Sequence, residues 1–246
     1  MDDRLMKAML ELDEQHWWYR GRRRVIHAEL AQLPLSAGAQ ILDAGCGSGR
    51  TLQELERYGE VRGIELNEEA AQVARERGHG EVLIGRLEEL PYGDGTFDLI
   101  TCLDVIEHTP DDRVTLTELR RVTVSGGWLL VTVPAYQALW SAHDEANHHY
   151  RRYSRRTLRA AALQAGWEVE RMTSFNSLLL PPAAVVRIAQ RRRHPNGNGS
   201  SDLHIGPSWL NGALEAPLAL EARWLSGGRT LAGGMSLLAV LRNQAG

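Results

Sequence analysis

The stretch Ile41-Leu42-Asp43-Ala44-Gly45-Cys46-Gly47-Ser48-Gly49-Arg50 constrains the fold of this chain more than any other. An apolar run and an acid lead into three alternate glycines, and a helix-forming segment follows. Glycine takes positive φ without strain and has no Cβ, so a ligand can lie directly against such a main chain. Ile41–Asp43 is short enough for a buried strand, and Thr51–Tyr58 reads as the helix after the loop.

The pattern continues downstream. Val61–Leu66 reads as a second strand, Asn67–Arg77 as a helix closed by Gly78, Glu81–Ile84 as a third strand and Phe97–Leu103 as a fourth. A helix near Asp111–Val122 with Asp111 or Asp112 as its cap, a turn at Gly126-Gly127 and a fifth strand Trp128–Val133 come next. Ser154 caps a helix Arg155–Ala165, Gly166 ends it, and Trp167–Met172 is a sixth strand. Met235–Leu241 is the last strand, after a helix Ser208–Leu225. Strands alternating with helices at this spacing predict βαβ units and a mostly parallel sheet. Ligands of such sheets bind at the carboxyl ends of the strands.

Upstream, residues 4–33 read as one amphipathic helix ended by Pro34, with Trp17-Trp18-Tyr19 beside Arg20, Arg22, Arg23 and Arg24. Two readings stand: a lid that stacks on a ligand while arginine holds a carboxylate, or a helix burying its aromatics with solvated arginines. At 246 residues the chain has room for one full α/β domain with additions. The expected divisions are an N-terminal helical lid (1–36), a ligand-binding core (37–175), a helical and flexible insertion (176–234) and a last core strand with tail (235–246).

No eighteen apolar residues run together, so no span is expected. The two cysteines, Cys46 and Cys102, lack metal-type spacing, which points to a reduced, cytoplasmic setting. Charge is uneven: residues 1–150 hold 26 acids and 15 bases, whereas 151–246 hold 5 acids and 13 bases. The basic last third fits a phosphate, nucleic acid or anionic lipid surface.

The loop itself excludes two ligand classes. A dinucleotide fingerprint wants Gly or Ala where Arg50 stands, and a Walker-type loop needs a lysine, but the only lysine is Lys7. Asp43-Ala44-Gly45-Cys46-Gly47-Ser48-Gly49 instead resembles the first motif of class I S-adenosylmethionine-dependent methyltransferases of the bacterial type 11/12 kind. Leu90-Pro91-Tyr92 with Phe97-Asp98-Leu99-Ile100, Val105-Ile106-Glu107-His108 and Gly126-Gly127-Trp128-Leu129-Leu130 resemble the later motifs in order and spacing.

The resemblance implies a Rossmann-like, seven-stranded α/β sheet with helices on both faces, strands six and seven forming an antiparallel edge. It implies S-adenosylmethionine as cofactor and S-adenosylhomocysteine as product. The backbone of Gly45, Cys46, Gly47 and Gly49 would receive the methionine moiety, Asp43 would orient it, and Glu65 would accept the ribose hydroxyls. Leu66 and Leu87 would flank the adenine. Arg86 stands where many relatives carry an acid, and Leu103 and Asp104 would face the reacting methyl. Cys46 reads as a small packed side chain rather than a nucleophile.

On the acceptor side, His108 is the first candidate base, with a packing or capping role as its counter-reading. The segment Trp140–Tyr153 resembles a subset of bacterial methyltransferases in which it lines the acceptor pocket. That makes His143 and His149 further candidate catalytic residues and Asp144, Arg152 and Tyr153 candidate substrate contacts. The same subset carries the His-Trp-Trp-Tyr and Arg-Arg pattern, which favours the lid reading for Trp18, Tyr19 and Arg23 as cofactor neighbours. No metal is expected, since Arg151-Arg152 would repel a cation at His143, Asp144, His148 and His149.

About sixty residues separate the last two strands, where this fold normally has a tight hairpin. The insertion is read as a lid, as a peripheral membrane contact through 178–201, or as a homodimer element. The expected activity is methyl transfer to oxygen or nitrogen of a small or lipid-like acceptor. RNA methylation and a non-catalytic adenosylmethionine-binding subunit are the alternatives, and nucleic acid is disfavoured because the arginine runs lack interleaved aromatics.

Overall fold

A computed structural model of the chain describes residues 13, 16–181 and 208–244. Its helices are α1 (Trp17–Leu30), α2 (Arg50–Leu55), α3 (Glu68–Arg77), α4 (Asp112–Val122), α5 (Ala142–Ala146), α6 (Arg155–Gln164) and α7 (Ser208–Ser226). Its strands are β1 (Ala39–Ala44), β2 (Gly59–Glu65), β3 (Glu81–Ile84), β4 (Phe97–Leu103), β5 (Thr123–Pro134), β6 (Glu168–Phe175) and β7 (Ser236–Arg242). Together the strands form one sheet in the order β3-β2-β1-β4-β5-β7-β6.

The pairs β1/β2, β1/β4, β2/β3 and β4/β5 are parallel. β7 runs against β5, because Gly126 at the start of β5 bonds Asn243 while Ala135 at its far end bonds Met235. It also runs against β6: Ser174 bonds Leu231 and Met235 bonds Asn176 at one end, and Gln244 meets Glu168 at the other. The seven-stranded α/β architecture and the antiparallel edge are thus as expected.

Several boundaries differ from the expectation for stated reasons. Within the described residues the helix read over 4–33 starts at Trp17, after His16, which is extended (φ −75°, ψ 132°) and caps α1 by accepting from Trp18 N at 3.3 Å. Residues 1–12 lie outside the described residues. The helix after the loop ends at Leu55 rather than Tyr58, because β2 begins at Gly59, whose absent Cβ would stand 2.0 Å from the Ala39 carbonyl oxygen. Trp167 precedes β6 instead of starting it; the indole is buried and donates to the Leu116 carbonyl at 2.8 Å. β5 runs through Gly126-Gly127, with a register irregularity against β4 where a turn was expected.

The chain divides into two compact units. One comprises Pro34–Val133, Arg155–Met172 and the chain from Leu238 onward; the other comprises the chain up to Leu33, Pro134–Ser154 and Thr173–Leu237. In the first, Ile41, Leu42, Ile64, Leu99, Ile100, Leu129 and Leu130 are fully buried strand residues, the continuous apolar pattern of a sheet covered on both faces. In the second, α1 packs on α7. Gly21 permits the close approach, since a Cβ there would lie 2.3 Å from Leu218 Cδ1. Arg20 and Arg24 bind Glu215 of α7 at 3.0 and 2.9 Å.

The expected interfacial stretch 178–201 falls, beyond Pro181, outside the described residues. Among the described residues no helix is long and apolar enough to cross a membrane.

Candidate functional site

In the sheet-bearing unit, the glycine loop folds over the end of β2: Gly45 N and Cys46 N both donate to the Ile64 carbonyl, at 2.8 and 3.1 Å. All three glycines have positive φ. Their spatial reasons differ. A Cβ on Gly45 would meet Val105 Cγ2 at 2.5 Å, and one on Gly49 would meet Ala74 Cβ at 2.8 Å, whereas nothing lies within 4 Å of the corresponding point on Gly47. Two glycines therefore allow packing, and the middle one leaves bare backbone beside open space.

Glu65 ends β2 and accepts one backbone N–H on each oxygen, from Gly47 at 2.8 Å and Asn67 at 2.9 Å. A carboxylate offers about four lone-pair sites, so each oxygen retains capacity for a further donor beyond these two bonds. Asp43 is buried and accepts from the Thr101 hydroxyl at 2.6 Å. Burial, with the Asp43 and Glu65 carboxylates nearby, pushes the Cys46 thiol far above its ordinary range, in keeping with a packed thiol rather than a nucleophile.

Leu66, just past β2, is 61% exposed, while Leu87 and Leu103 are buried. Arg86 meets Glu88 at 3.4 Å. Asp104 has φ 58°, an uncommon conformation for a residue with a side chain, and its N–H donates to the Thr132 carbonyl at 3.0 Å. His108 closes a single 3-10 turn, Ile106–His108, with its N–H bonded to Val105 O at 2.9 Å.

In the other unit, Trp18 stacks on Phe175 (5.7 Å between centroids, 10° between planes) and Tyr19 is buried with Arg22 over its ring. Arg23 donates to the Asp13 carbonyl at 2.9 Å. The expected acceptor residues converge on Asp144, which is wholly buried in α5. Arg152 grips its carboxylate with two bonds, Nε to Oδ1 at 2.7 Å and Nη2 to Oδ2 at 3.0 Å. His149 Nδ1 lies 2.9 Å from Oδ1, and Ser141 N donates to Oδ2 at 2.8 Å. Burial alone would raise the Asp144 carboxyl, but these donors hold it well below the usual carboxylate range.

An ionised carboxylate is an acceptor only, so His149 Nδ1 is the donor in this contact. His143 stands edge-on to His149, 6.4 Å between centroids, with Asn147 3.3 Å from its Nε2. Tyr153 is buried, and its backbone brackets the turn after β5, donating to Pro134 O and accepting from Tyr136 N.

Three features escaped the sequence reading. Val105 presses on Gly45, and only the fold brings them together. The Asp144–Arg152 pair spans eight residues across the end of a short helix, with no periodic spacing to mark it. Glu221 of α7 accepts from the N–H groups of Asn176, Ser177 and Leu178 at 2.6, 2.8 and 3.0 Å, where the sequence shows only a helical acid.

Comparison with known proteins decides the family. Residues 42–131 match the methyltransferase domain family. A ubiquinone biosynthesis O-methyltransferase of Xanthomonas oryzae is 31% identical over 163 residues, covering 55% of this chain and 68% of that enzyme. The chain belongs to the class I S-adenosylmethionine-dependent methyltransferases. Ajmaline N-methyltransferase of Rauvolfia serpentina is 28% identical over 68% of this chain and 60% of that enzyme. Among solved structures, a Haloferax volcanii methyltransferase in complex with a methyltransferase activator superposes with TM-score 0.66 at 20% identity, covering 99% of this chain and 96% of that one.

The loop and the end of β2 fit the cofactor of this methyltransferase family. Bare backbone at Gly47 and a strand-end carboxylate with lone pairs to spare are the groups a charged amino acid and a ribose diol require. S-adenosylmethionine, when bound, supplies the methyl group from its sulfonium centre.

Proposed function

We propose that this methyltransferase methylates an oxygen or nitrogen of a small or amphiphilic acceptor. Glu65 takes the ribose hydroxyls, the Gly45–Gly49 backbone takes the methionine moiety with Asp43 orienting it, and Leu66 and Leu87 flank the adenine. Small-molecule acceptors are supported by the relatives, one named for ubiquinone biosynthesis and one for the alkaloid ajmaline.

The observation that carries the acceptor side is the bonding of Asp144. Its contacts with Arg152 and Ser141 make it a fixed acceptor, and that fixes His149 Nδ1 as the donor. His149 Nε2 is then the atom suited to receive a proton, with Asp144 as its positioning residue. The acceptor atom forms its bond to the methyl carbon as the carbon–sulfur bond breaks, S-adenosylhomocysteine is left, and the acceptor's proton passes to a base, for which His108, His143 and His149 are the candidates. Alignment and exclusion of water supply most of the acceleration for such an in-line displacement.

Calorimetric titration with S-adenosylmethionine and S-adenosylhomocysteine tests the cofactor side. Wild type binds both, and Glu65→Ala weakens both at least about tenfold, the loss of charge-assisted hydrogen bonds worth roughly 1.5–3 kcal/mol. Binding of neither ligand by wild type overturns the reading. With candidate phenols and amines scored by mass spectrometry, His149→Ala lowers kcat more than KM; an unchanged kcat transfers the role to His108 or His143.

A further inference from the structure

α7 carries an exposed surface that the proposed function does not draw on. Its buried residues Glu215, Leu218, Ala222 and Leu225 form one stripe; at about 100° per residue, the exposed residues Ala213, Ala216, Leu220, Arg223 and Trp224 fall on the opposite side. Leu220 is 60% exposed and Trp224 47% exposed, one turn apart. Arg229 lies over the Trp224 ring with its guanidinium carbon 4.4 Å from the centroid.

Charge on this face has one sign. The two acids of α7 are turned away from it and neutralised, Glu215 by Arg20 and Arg24, Glu221 by three backbone N–H groups. Arg223 is exposed beside Trp224. An apolar ridge of two helical turns is small against the roughly 800 Å² per partner of a stable protein interface. It suffices for an interfacial contact, in which a few apolar side chains enter the headgroup boundary and arginines meet lipid phosphates. Among the described residues of the exposed face itself the only charges are those of Arg223 and, over the Trp224 ring, Arg229, which suits an anionic surface.

We propose that this face of α7 docks on an anionic lipid bilayer, Leu220 and Trp224 entering the headgroup boundary and Arg223 and Arg229 binding phosphate. The contact is independent of the methyl acceptor and would bring an amphiphilic acceptor's own phase to the enzyme.

The test is flotation of the full chain with vesicles of phosphatidylcholine alone and of phosphatidylcholine mixed with phosphatidylglycerol. Wild type floats with the mixed vesicles and is released by high salt. Leu220→Ser with Trp224→Ala lowers the bound fraction about tenfold or more, and Arg223→Glu with Arg229→Glu removes the preference for phosphatidylglycerol. Calorimetry with S-adenosylmethionine on the same variants shows wild-type affinity, so loss of flotation is not loss of fold. Failure of wild type to float overturns the proposal, as does wild-type flotation of the Leu220/Trp224 variant. Sedimentation showing that wild type self-associates through this face, and binds no vesicles, replaces the bilayer with a second copy.

Discussion

Asp144 carries its charge where no water reaches, held there by the Arg152 guanidinium, the His149 ring and the Ser141 backbone. Asp144→Asn keeps the shape but leaves Arg152 charged in the interior without its counter-charge. Breaking one partner of a buried pair costs about 3–5 kcal/mol, so urea denaturation will show a loss of that order. The pH dependence has a definite sign. The folded carboxyl titrates below the unfolded one, so the stabilisation is complete above the ordinary carboxylate range and is lost as pH falls through the folded value. Wild type will therefore lose stability below about pH 4 more steeply than Asp144→Asn, readable from Tm against pH. Gly45 is as exacting: Gly45→Ala adds both a positive-φ penalty and contact with Val105, and its measure is loss of S-adenosylmethionine affinity by calorimetry.

At the scale of elements, the close packing of α1 on α7 rests on Gly21 facing Leu218. Gly21→Ala will destabilise by about 1–3 kcal/mol despite the better helix propensity of alanine, and Leu218→Ala in the same chain will recover part of it in a double-mutant cycle. Elements with a strong local signal were legible from residues alone. β3 and β4 have the expected bounds, and α4 has Asp111 as its cap, donating partner Arg113 N at 3.0 Å. What was not legible depends on close approach between distant segments. Gly59 and Glu60 are poor strand formers, yet they pair with β1 because glycine alone fits against the Ala39 carbonyl. Of the arginines after Trp17-Trp18-Tyr19, which the sequence allowed to be a ligand clamp or a solvated face, Arg20 and Arg24 are engaged by Glu215, some 190 residues away. The glycine loop and the strand-end position of Glu65 were readable because glycines at fixed spacing after a strand mark them; the Asp144–Arg152 grip was not, because no period marks it.

For the molecule as a whole, ligand and stability are linked. Free S-adenosylmethionine at about 100 times its Kd will stabilise the native chain by about 2.7 kcal/mol, seen as a rise in apparent Tm that falls to about half in Glu65→Ala at the same ligand concentration for an about tenfold weaker Kd. The long excursion between β6 and β7 has a further consequence. The chain leaving β6 and the chain entering β7 meet at a pinch: Ser174 N bonds Leu231 O, Leu231 N bonds the Thr173 hydroxyl, Met235 N bonds Asn176 O, and Glu221 clasps the three N–H groups that follow β6. Strand register there is set by the pinch, not by the length of chain outside it. The antiparallel edge of the sheet is thus closed by backbone and side-chain bonds at that point rather than by a hairpin turn, which leaves room in the sequence between the two strands for α7.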